Sequence, residues 1–500
     1  MKAVEAGDFV LGVVGSGAMG SGIVQVALTG GLSVILTDAN AAQLEKARAA
    51  IFQRLDRLAE KGEQTAAAVA EAKSRLMIAG DLRDFARCDA VVEAIVENLE
   101  TKRQLFQKLE EIVTPEAVLA SNTSSLPIAA IARACRHRRR IAGMHFFNPV
   151  PLMRLVEIIE AAETDPAVSE TLMRLGRRLG RTPVKVKDAP GFLVNLGGRA
   201  FGSEALHILM ENVAAPVDVD QVMRECCGFR MGPFELMDLT GIDVNYPVSR
   251  IIHEGYFYDP RLKSTPLHES LFQAGRLGRK TGAGFHRYDE SGKTIPAPAR
   301  VPPAAAKPAR IVLGENAEGL MSLTAGVDAH AQDDGKGPIL IAPWGEDCTS
   351  AALRLGLDPR RTVAIDLSHD TSKRITMMMA PGGEAGIGDQ VEALLASTGR
   401  AVTRIKDSPG FIAQRITAMV ANLGCEMAQM GLASPADIDT AMRLGLNYPA
   451  GPLALADEIG VKRTYEILCR LQEITGSDRY RPSPWLRRRA LLGLPAATPA

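Results

Sequence analysis

The chain has no surplus charge: 58 Lys and Arg stand against 58 Asp and Glu over 500 residues. Without an excess of cations to displace counterions, the composition gives no support to binding of nucleic acid or another polyanion. The one basic run, RHRRR at 136–140, reads as a solvated helix end or loop. Cysteine is sparse, seven residues without CxxC spacing. That excludes a disulfide framework and a zinc site, and it points to a reducing, cytoplasmic setting. No apolar stretch is long enough to span a membrane, and none precedes the first strand signal as a signal peptide would. Hydrophobic residues at 46% and charged residues at 23% are ordinary for globular domains, and the length requires more than one of them.

Residues 9–38, FVLGVVGSGAMGSGIVQVALTGGLSVILTD, carry the first specific signal. An apolar run leads into Gly15, Gly17 and Gly20, then a helical stretch, a glycine stop, and a second apolar run ending at Asp38. Strand, glycines, helix, strand and acid fall in the order of a βαβ nucleotide-binding unit. Gly15 permits the turn, Gly17 lets the backbone approach a pyrophosphate, and Gly20 allows close helix–strand packing. The helix N-terminus offers free N–H groups to phosphates. Asp38 is placed to accept ribose hydroxyls and repel a 2′-phosphate, so NAD is expected over NADP. Beyond it a long Ala-rich helical pair (41–73) precedes strands near 76–79, 90–97, 117–122 and 141–147, alternating with helices. This pattern predicts a doubly wound, mostly parallel α/β sheet. Glu97, the run SNTSS (121–125) and His145 lie at strand ends, where such sheets bind ligands.

MHFFNPVPLMRLVEII (144–159) holds His145 and Glu157 in an otherwise apolar run. A buried carboxylate is expensive unless paired, and the prolines of NPVP turn the chain so that two strands can lie side by side. A carboxylate on one imidazole nitrogen fixes the tautomer and leaves the other nitrogen to take a proton from a substrate hydroxyl. Beside a dinucleotide, that arrangement suits alcohol oxidation.

With these motifs the sequence resembles the L-3-hydroxyacyl-CoA dehydrogenases from about Phe9 to Tyr288. The resemblance includes GSGAMGSGI, EAIVENLETK (93–102), SNTSSLPI (121–128), KDAPGFLVN (187–195), MGPFELMDLTGID (231–243) and GRKTGAGFHRY (278–288). It implies His145 as catalytic base and Glu157 as its orienting partner. Ser124 is implied at the substrate's C3 oxygen, Asn148 in support of the histidine region, and Asn195 beside the reacting end. It also implies cofactor contacts at Gly15, Gly17, Met19, Gly20, Asp38, Glu97, Lys102 and Asn122. Leu196 stands where the family pattern carries an arginine. Arg54, Arg57 and Lys61 on the early helical pair are candidates for the CoA phosphates, beside a plain solubilising role. The resemblance further implies an α-helical C-terminal domain and a homodimer.

The expected organisation is a Rossmann-like domain at 1–187, a helical domain at 188–290, and a Pro/Ala linker at 291–310. A reduced nucleotide-domain remnant follows at 311–403, and a second helical copy at 404–500. The repeat is explicit: KDAPGF (187–192) recurs as KDSPGF (406–411), VDVDQVMR (217–224) as ADIDTAMR (436–443), and MGPFELMD (231–238) as AGPLALAD (450–457), each offset by 219. At that offset His145, Glu157, Ser124 and Asn195 become Ala364, Thr376, Pro343 and Gln414, so the copy is expected to be non-catalytic. PGGEAGIG (381–388) is not read as following a strand. This two-copy arrangement is similar to bacterial enzymes of the phenylacetate-degradation type. That implies 3-hydroxyadipyl-CoA as substrate, with 3-hydroxybutyryl-CoA competing. Two other readings stay open. One is a dehydrogenase of free hydroxy acids with Lys187 as base, the other a nonenzymatic NAD-binding sensor.

Overall fold

Strands buried on both faces need near-continuous apolar runs, and VLGVV, SVILT and VLAS supply them. In the computed structural model, which describes residues 1–296, 304–324, 326–333 and 335–499, the chain forms two units. The expected Pro/Ala linker falls partly at 297–303, outside the described residues.

The first unit comprises Met1–Leu196 and Met430–Leu446. Its strands are β1 (Val10–Val14), β2 (Ser33–Thr37), β3 (Leu76–Ile78), β4 (Ala90–Glu93), β5 (Val118–Ser121), β6 (Ile141–Phe146), β7 (Leu155–Glu160) and β8 (Thr182–Lys187). They form one sheet in the order β3-β2-β1-β4-β5-β6-β7-β8. Neighbours are parallel except β6 and β7. Strand order reverses between β1 and β4, and the crevice beyond their carboxyl ends is where a doubly wound sheet takes a ligand. The expected helical pair is Ala41–Glu60 and Ala66–Ser74. Asn40 and Thr65 cap their N-termini through Gln43 N and Ala68 N. The basic run is structural: Arg140 is buried on the carbonyls of Thr114 and Glu110, while Arg138 and Arg139 pair with Glu163 and Asp165.

One helix of this unit comes from far along the chain. Pro435–Leu446 lies against β7 and β8, and the Lys187 N–H donates to Leu432 O at 2.9 Å. A Cβ on Gly445 would stand 2.8 Å from Val194 and 3.0 Å from Leu155, so glycine permits the close approach.

The second unit comprises Gly197–Gln429 and Asn447–Ala500. It contains β9 (Arg310–Leu313), β10 (Asp328–His330), β11 (Ile339–Ile341), β12 (Thr362–Ile365), β13 (Arg374–Met379) and β14 (Ala401–Ile405), in the order β10-β9-β11-β12-β13-β14. Only β12 and β13 are antiparallel. The helices repeat at the predicted spacing: Val194–Met210 and Ala413–Gln429, Pro216–Glu225 and Pro435–Leu446, Pro233–Thr240 and Pro452–Ile459, Ile242–Gly255 and Val461–Thr475.

Two readings of the second copy need correction. Gly382 and Gly383 do follow a strand, β13, and precede the helix Ala385–Ala396. They mark the counterpart of the β7-to-helix connection and not a nucleotide turn. The counterpart of His145 is also not Ala364. Asp366 N donates to Thr376 O at 3.0 Å, which places Asp366 opposite Thr376 as His145 is opposite Glu157. The β12–β13 connection is two residues shorter than β6–β7, and a fixed sequence offset slips across such a deletion.

Candidate active site

The turn after β1 is built by glycine at two kinds of contact. Gly15 has φ +104°, a conformation open to glycine, and a Cβ there would overlap Ala94 O. A Cβ on Gly20 would overlap Gly15 O, whereas one on Gly17 would meet nothing within 4 Å. Gly15 and Gly20 therefore close the turn, and Gly17 leaves room in front of the helix Ala18–Thr29. Met19 is half-buried in that helix's first turn, against the core. Asp38 follows β2, where Oδ2 accepts Ser16 N at 2.7 Å and Ser16 Oγ at 2.8 Å, and Oδ1 accepts Asn40 N at 2.9 Å. Burial pushes this carboxyl up, but the bonds from Asn40 and Ser16 outweigh it and hold it below the usual range. A cavity of about 750 Å³ opens on Gly15, Gly17 and Asp38. These residues fit a dinucleotide: open backbone at a helix N-terminus for the phosphates and an ionised acid for the ribose.

Beyond β4 and β5, Glu97 is a hub. Its Oε1 accepts Thr123 Oγ1 at 2.6 Å, Ser124 N at 3.0 Å, Ser125 N at 3.2 Å and Ser125 Oγ at 3.0 Å. Burial pushes its pKa up, but Thr123, Lys102 and the Ser124 N–H outweigh that and lower it. Lys102 sits between two acids. It is buried, with Nζ 2.5 Å from Glu93 Oε1 and 3.3 Å from Glu97 Oε2. Glu93, which the sequence reading passed over, is also buried and accepts Ser121 Oγ at 2.6 Å and Ile95 N at 2.7 Å. An acid inside the apolar run VVEAIV was the available signal, since an unpaired one is costly. Asn122 Oδ1 accepts Phe146 N at 2.8 Å, tying the end of β5 to β6.

His145 and Glu157 face each other as partners in the antiparallel β6–β7 ladder. His145 Nδ1 lies 2.7 Å from Glu157 Oε2. Glu157 is fully buried, and its Oε1 accepts Leu193 N at 3.0 Å and Val194 N at 2.9 Å. Those donors are the free N–H groups at the start of helix Val194–Met210, a favourable place for a carboxylate. With Nδ1 held by a carboxylate, the neutral ring carries its proton there and leaves the Nε2 lone pair free. Phe147 and Phe192 flank the ring, with centroids at 4.5 Å and 5.8 Å. Asn195, on the first turn of the same helix, donates from Nδ2 to the exposed Ser124's carbonyl at 3.4 Å. The ladder pairs Glu160 with Lys187 and Glu157 with Val184. Lys187 is therefore about 10 Å along the strand from the level of His145, with its ammonium beside Gly431. That position argues against it as the base.

Asn148 lies after β6, with a cis peptide to Pro149. It lines a second cavity of about 670 Å³ together with Arg54, Arg57, Lys61 and Arg181. Arg54 is half committed: Nε donates to Gln25 Oε1 at 2.6 Å and Nη2 to Ser21 O at 3.3 Å. Arg181 escaped the sequence reading because nothing around it forms a motif. Its Nη1 donates to Val150 O at 3.0 Å and Met153 O at 2.8 Å, which brings another cation to the cavity.

In the second copy the corresponding groups are bonded to one another. Gln414 donates to Pro343 O at 3.2 Å and to Asp366 Oδ1 at 3.0 Å, and accepts Gly345 N at 2.8 Å. An acid and an amide bonded to each other, Asp366 and Gln414, stand where the first copy has a histidine and an asparagine.

Comparison with known proteins agrees with this geometry. Residues 10–189 match the NAD binding domain of 3-hydroxyacyl-CoA dehydrogenase, and 191–288 and 410–498 match its C-terminal domain. The chain is 36% identical over 484 residues to a 3-hydroxyadipyl-CoA dehydrogenase of Escherichia coli, covering 96% of this chain and 97% of that one. It is 38% identical over 286 residues to a 3-hydroxybutyryl-CoA dehydrogenase of Bradyrhizobium diazoefficiens, covering 57% of this chain and 97% of that one. A crystal structure of 3-hydroxybutyryl-CoA dehydrogenase from E. coli superposes with a TM-score of 0.86 at 36% identity, covering 97% of this chain and 98% of that one. A glycine turn with an acid after β2, a histidine–glutamate pair across β6 and β7, and matches spanning both domains place the chain in the 3-hydroxyacyl-CoA dehydrogenase family.

Proposed function

We infer that the chain oxidises (S)-3-hydroxyacyl-CoA thioesters to 3-oxoacyl-CoA with NAD. The observation that carries this reading is the His145–Glu157 pair at the carboxyl end of β6, in the same sheet as the Gly15 turn and Asp38. NAD, when bound, accepts the hydride that leaves C3. His145 Nε2 takes the proton of the C3 hydroxyl, and Glu157 holds Nδ1–H and supports the imidazolium that forms. We assign Ser124 and Asn195 to the C3 oxygen, which gains negative character as the proton departs, and Asn148 to the mouth of the site. Glu97 and Asn122 are assigned to the nicotinamide end. Lys102 acts there as a positioning residue, through Glu97. Arg57, Lys61 and Arg181 are assigned to CoA phosphates, with Arg54 ordering the cavity wall.

The acyl group we favour is 3-hydroxyadipyl, because the relative of that name matches both copies along 97% of its length. We propose one active site per chain, since the second copy's equivalents satisfy one another. A reducing, cytoplasmic setting is supported by seven cysteines without a disulfide among them, five of them buried.

The test is NADH consumption with acetoacetyl-CoA and 3-oxoadipyl-CoA beside free acetoacetate. Turnover with thioesters alone is expected, faster with the dicarboxylic chain. Turnover with the free acid would favour a hydroxy-acid dehydrogenase, and tight NADH binding without any turnover would favour a sensor.

A further inference from the structure

The second copy keeps a cavity beside the point where its own base would stand. Asp366, which answers His145, opens the β12–β13 connection. Ser368 and His369 of that connection line a space of about 300 Å³. Another part of the lining comes from the second helical copy: Pro449, Ala450, Leu455, Glu458 and Ile459. Asp366 and Gln414 hold each other at 3.0 Å, so no base is offered there, yet the space next to them has not closed.

The helical part of this lining maps onto the first copy without a slip in register. Gly228 and Asn447, 219 apart, are both left-handed, at φ +72° and +55°. Further on, Gly232 and Gly451 cap the helices Pro233–Thr240 and Pro452–Ile459, with φ, ψ of −70°, 163° and −69°, 160°. Two fixed points at the same spacing bracket the turn, so residues between them and along the helix correspond one to one. Shifted by 219, the lining becomes Arg230, Met231, Leu236, Leu239 and Thr240.

The two linings differ in chemistry. Leu236, Leu239 and Thr240 share one face of their helix at i, i+3 and i+4. Met231 and Leu236 are half-buried, and Leu239 is 50% exposed. Arg230, two residues before the helix cap, is exposed, and among the described residues no carboxylate pairs with it. The nearby Arg224, in contrast, is held by Glu235. The second copy has Pro449 in place of the arginine and Glu458 in place of Leu239. Those changes remove a cation and add a charge that repels an anion. Apolar side chains beside one guanidinium are the complement of methylenes ending in one carboxylate, which the planar fork of arginine can grip at two points.

On the reading of the chain as a 3-hydroxyacyl-CoA dehydrogenase, we infer that Arg230 holds the distal carboxylate of a dicarboxylic acyl chain. Met231, Leu236 and Leu239 lie along its methylenes. Arg230 is then the residue that sets acyl preference.

The experiment compares 3-oxoadipyl-CoA with 3-oxohexanoyl-CoA, chains of equal carbon count that differ in the terminal carboxylate. NADH consumption is followed for the full-length parent, Arg230→Met and Arg230→Lys, each beside a melting curve. The parent is expected to prefer the dicarboxylic chain. In Arg230→Met, the ratio of kcat/KM for the dicarboxylic chain to that for the plain one is expected to fall about 10- to 100-fold. Arg230→Lys, which keeps the charge and loses the fork, is expected to show a smaller fall, and it reads the same ratio if the methionine variant does not fold. A parent without the preference, or an Arg230→Met ratio equal to the parent's, would overturn the assignment and leave the dehydrogenase reading standing. A parent that turned over neither thioester would remove that reading and the assignment with it.

Discussion

Glu157 accepts on both oxygens, one facing His145 and the other two backbone N–H groups. A glutamine has one acceptor oxygen. With that oxygen on the helix N-terminus, the amide NH₂ faces Nδ1 and forces the proton onto Nε2, the wrong tautomer for a base. Glu157→Gln is therefore expected to keep most of its thermal stability and lose at least about a hundred-fold in kcat, read by steady-state kinetics beside a melting curve. At the other end of the sheet, we assign Asp38 to exclude a 2′-phosphate by charge. Asp38→Ala is expected to raise KM for NAD and lower it for NADP, so the ratio of the two kcat/KM values moves toward NADP. An unchanged ratio would mean that Asp38 does not meet the ribose. Both assignments start from the sequence, since each residue ends or interrupts an apolar run where a charge needs a reason.

Between β4 and the following helix, the buried pair of Glu93 and Lys102 reaches the exposed Glu97 and couples packing to the cofactor crevice. Lys102 neutralises Glu93, which is buried at 0% exposure, and reaches Glu97 at 3.3 Å. Removing one member of a buried ion pair costs about 3–5 kcal/mol. Lys102→Met is expected to destabilise by that order in chemical denaturation and to weaken NAD binding in step. A variant that only weakened binding would mean that Lys102 touches the cofactor directly. ENLETK suggested Lys102 as a ligand contact; the helix Leu99–Ile112 buries it between two acids, and the role through Glu97 that we assign it is what this variant tests.

Stability across pH follows from titratable groups in the second unit. Burial, then Arg479, pushes His207 down to about 4, and burial, then Arg199, does the same to His268. A group depressed in the folded state contributes stability that is whole above its unfolded value and lost as pH falls through the folded one. The two histidines therefore cost stability between pH 6.5 and about 4, and Glu204 adds to the loss between 4.5 and about 2. Asp220, pushed up to about 6 by burial against the pull of His286, acts the other way below pH 6. The histidine share is thus read by difference. The drop in melting temperature from pH 7 to pH 5 is expected to be smaller in His268→Gln than in the parent. An equal drop would show that His268 does not titrate in that range.

What the sequence carried was local and periodic. The GSGAMG turn, the acid after the second strand and the 219-residue repeat depend on short strings whose physics is complete within a few residues. The His145–Glu157 pairing was legible because a proline turn joins adjacent strands. Register was not, for it follows the length of the intervening connection; that is why Asp366, and not Ala364, answers His145. Arg181, the placement of Pro435–Leu446 on β7 and β8, and the buried ion pairs of Glu204 with Arg415 and Arg479 join residues tens to hundreds of positions apart. Such contacts arise when buried charges and apolar faces find partners in the folded chain, and no local pattern announces them.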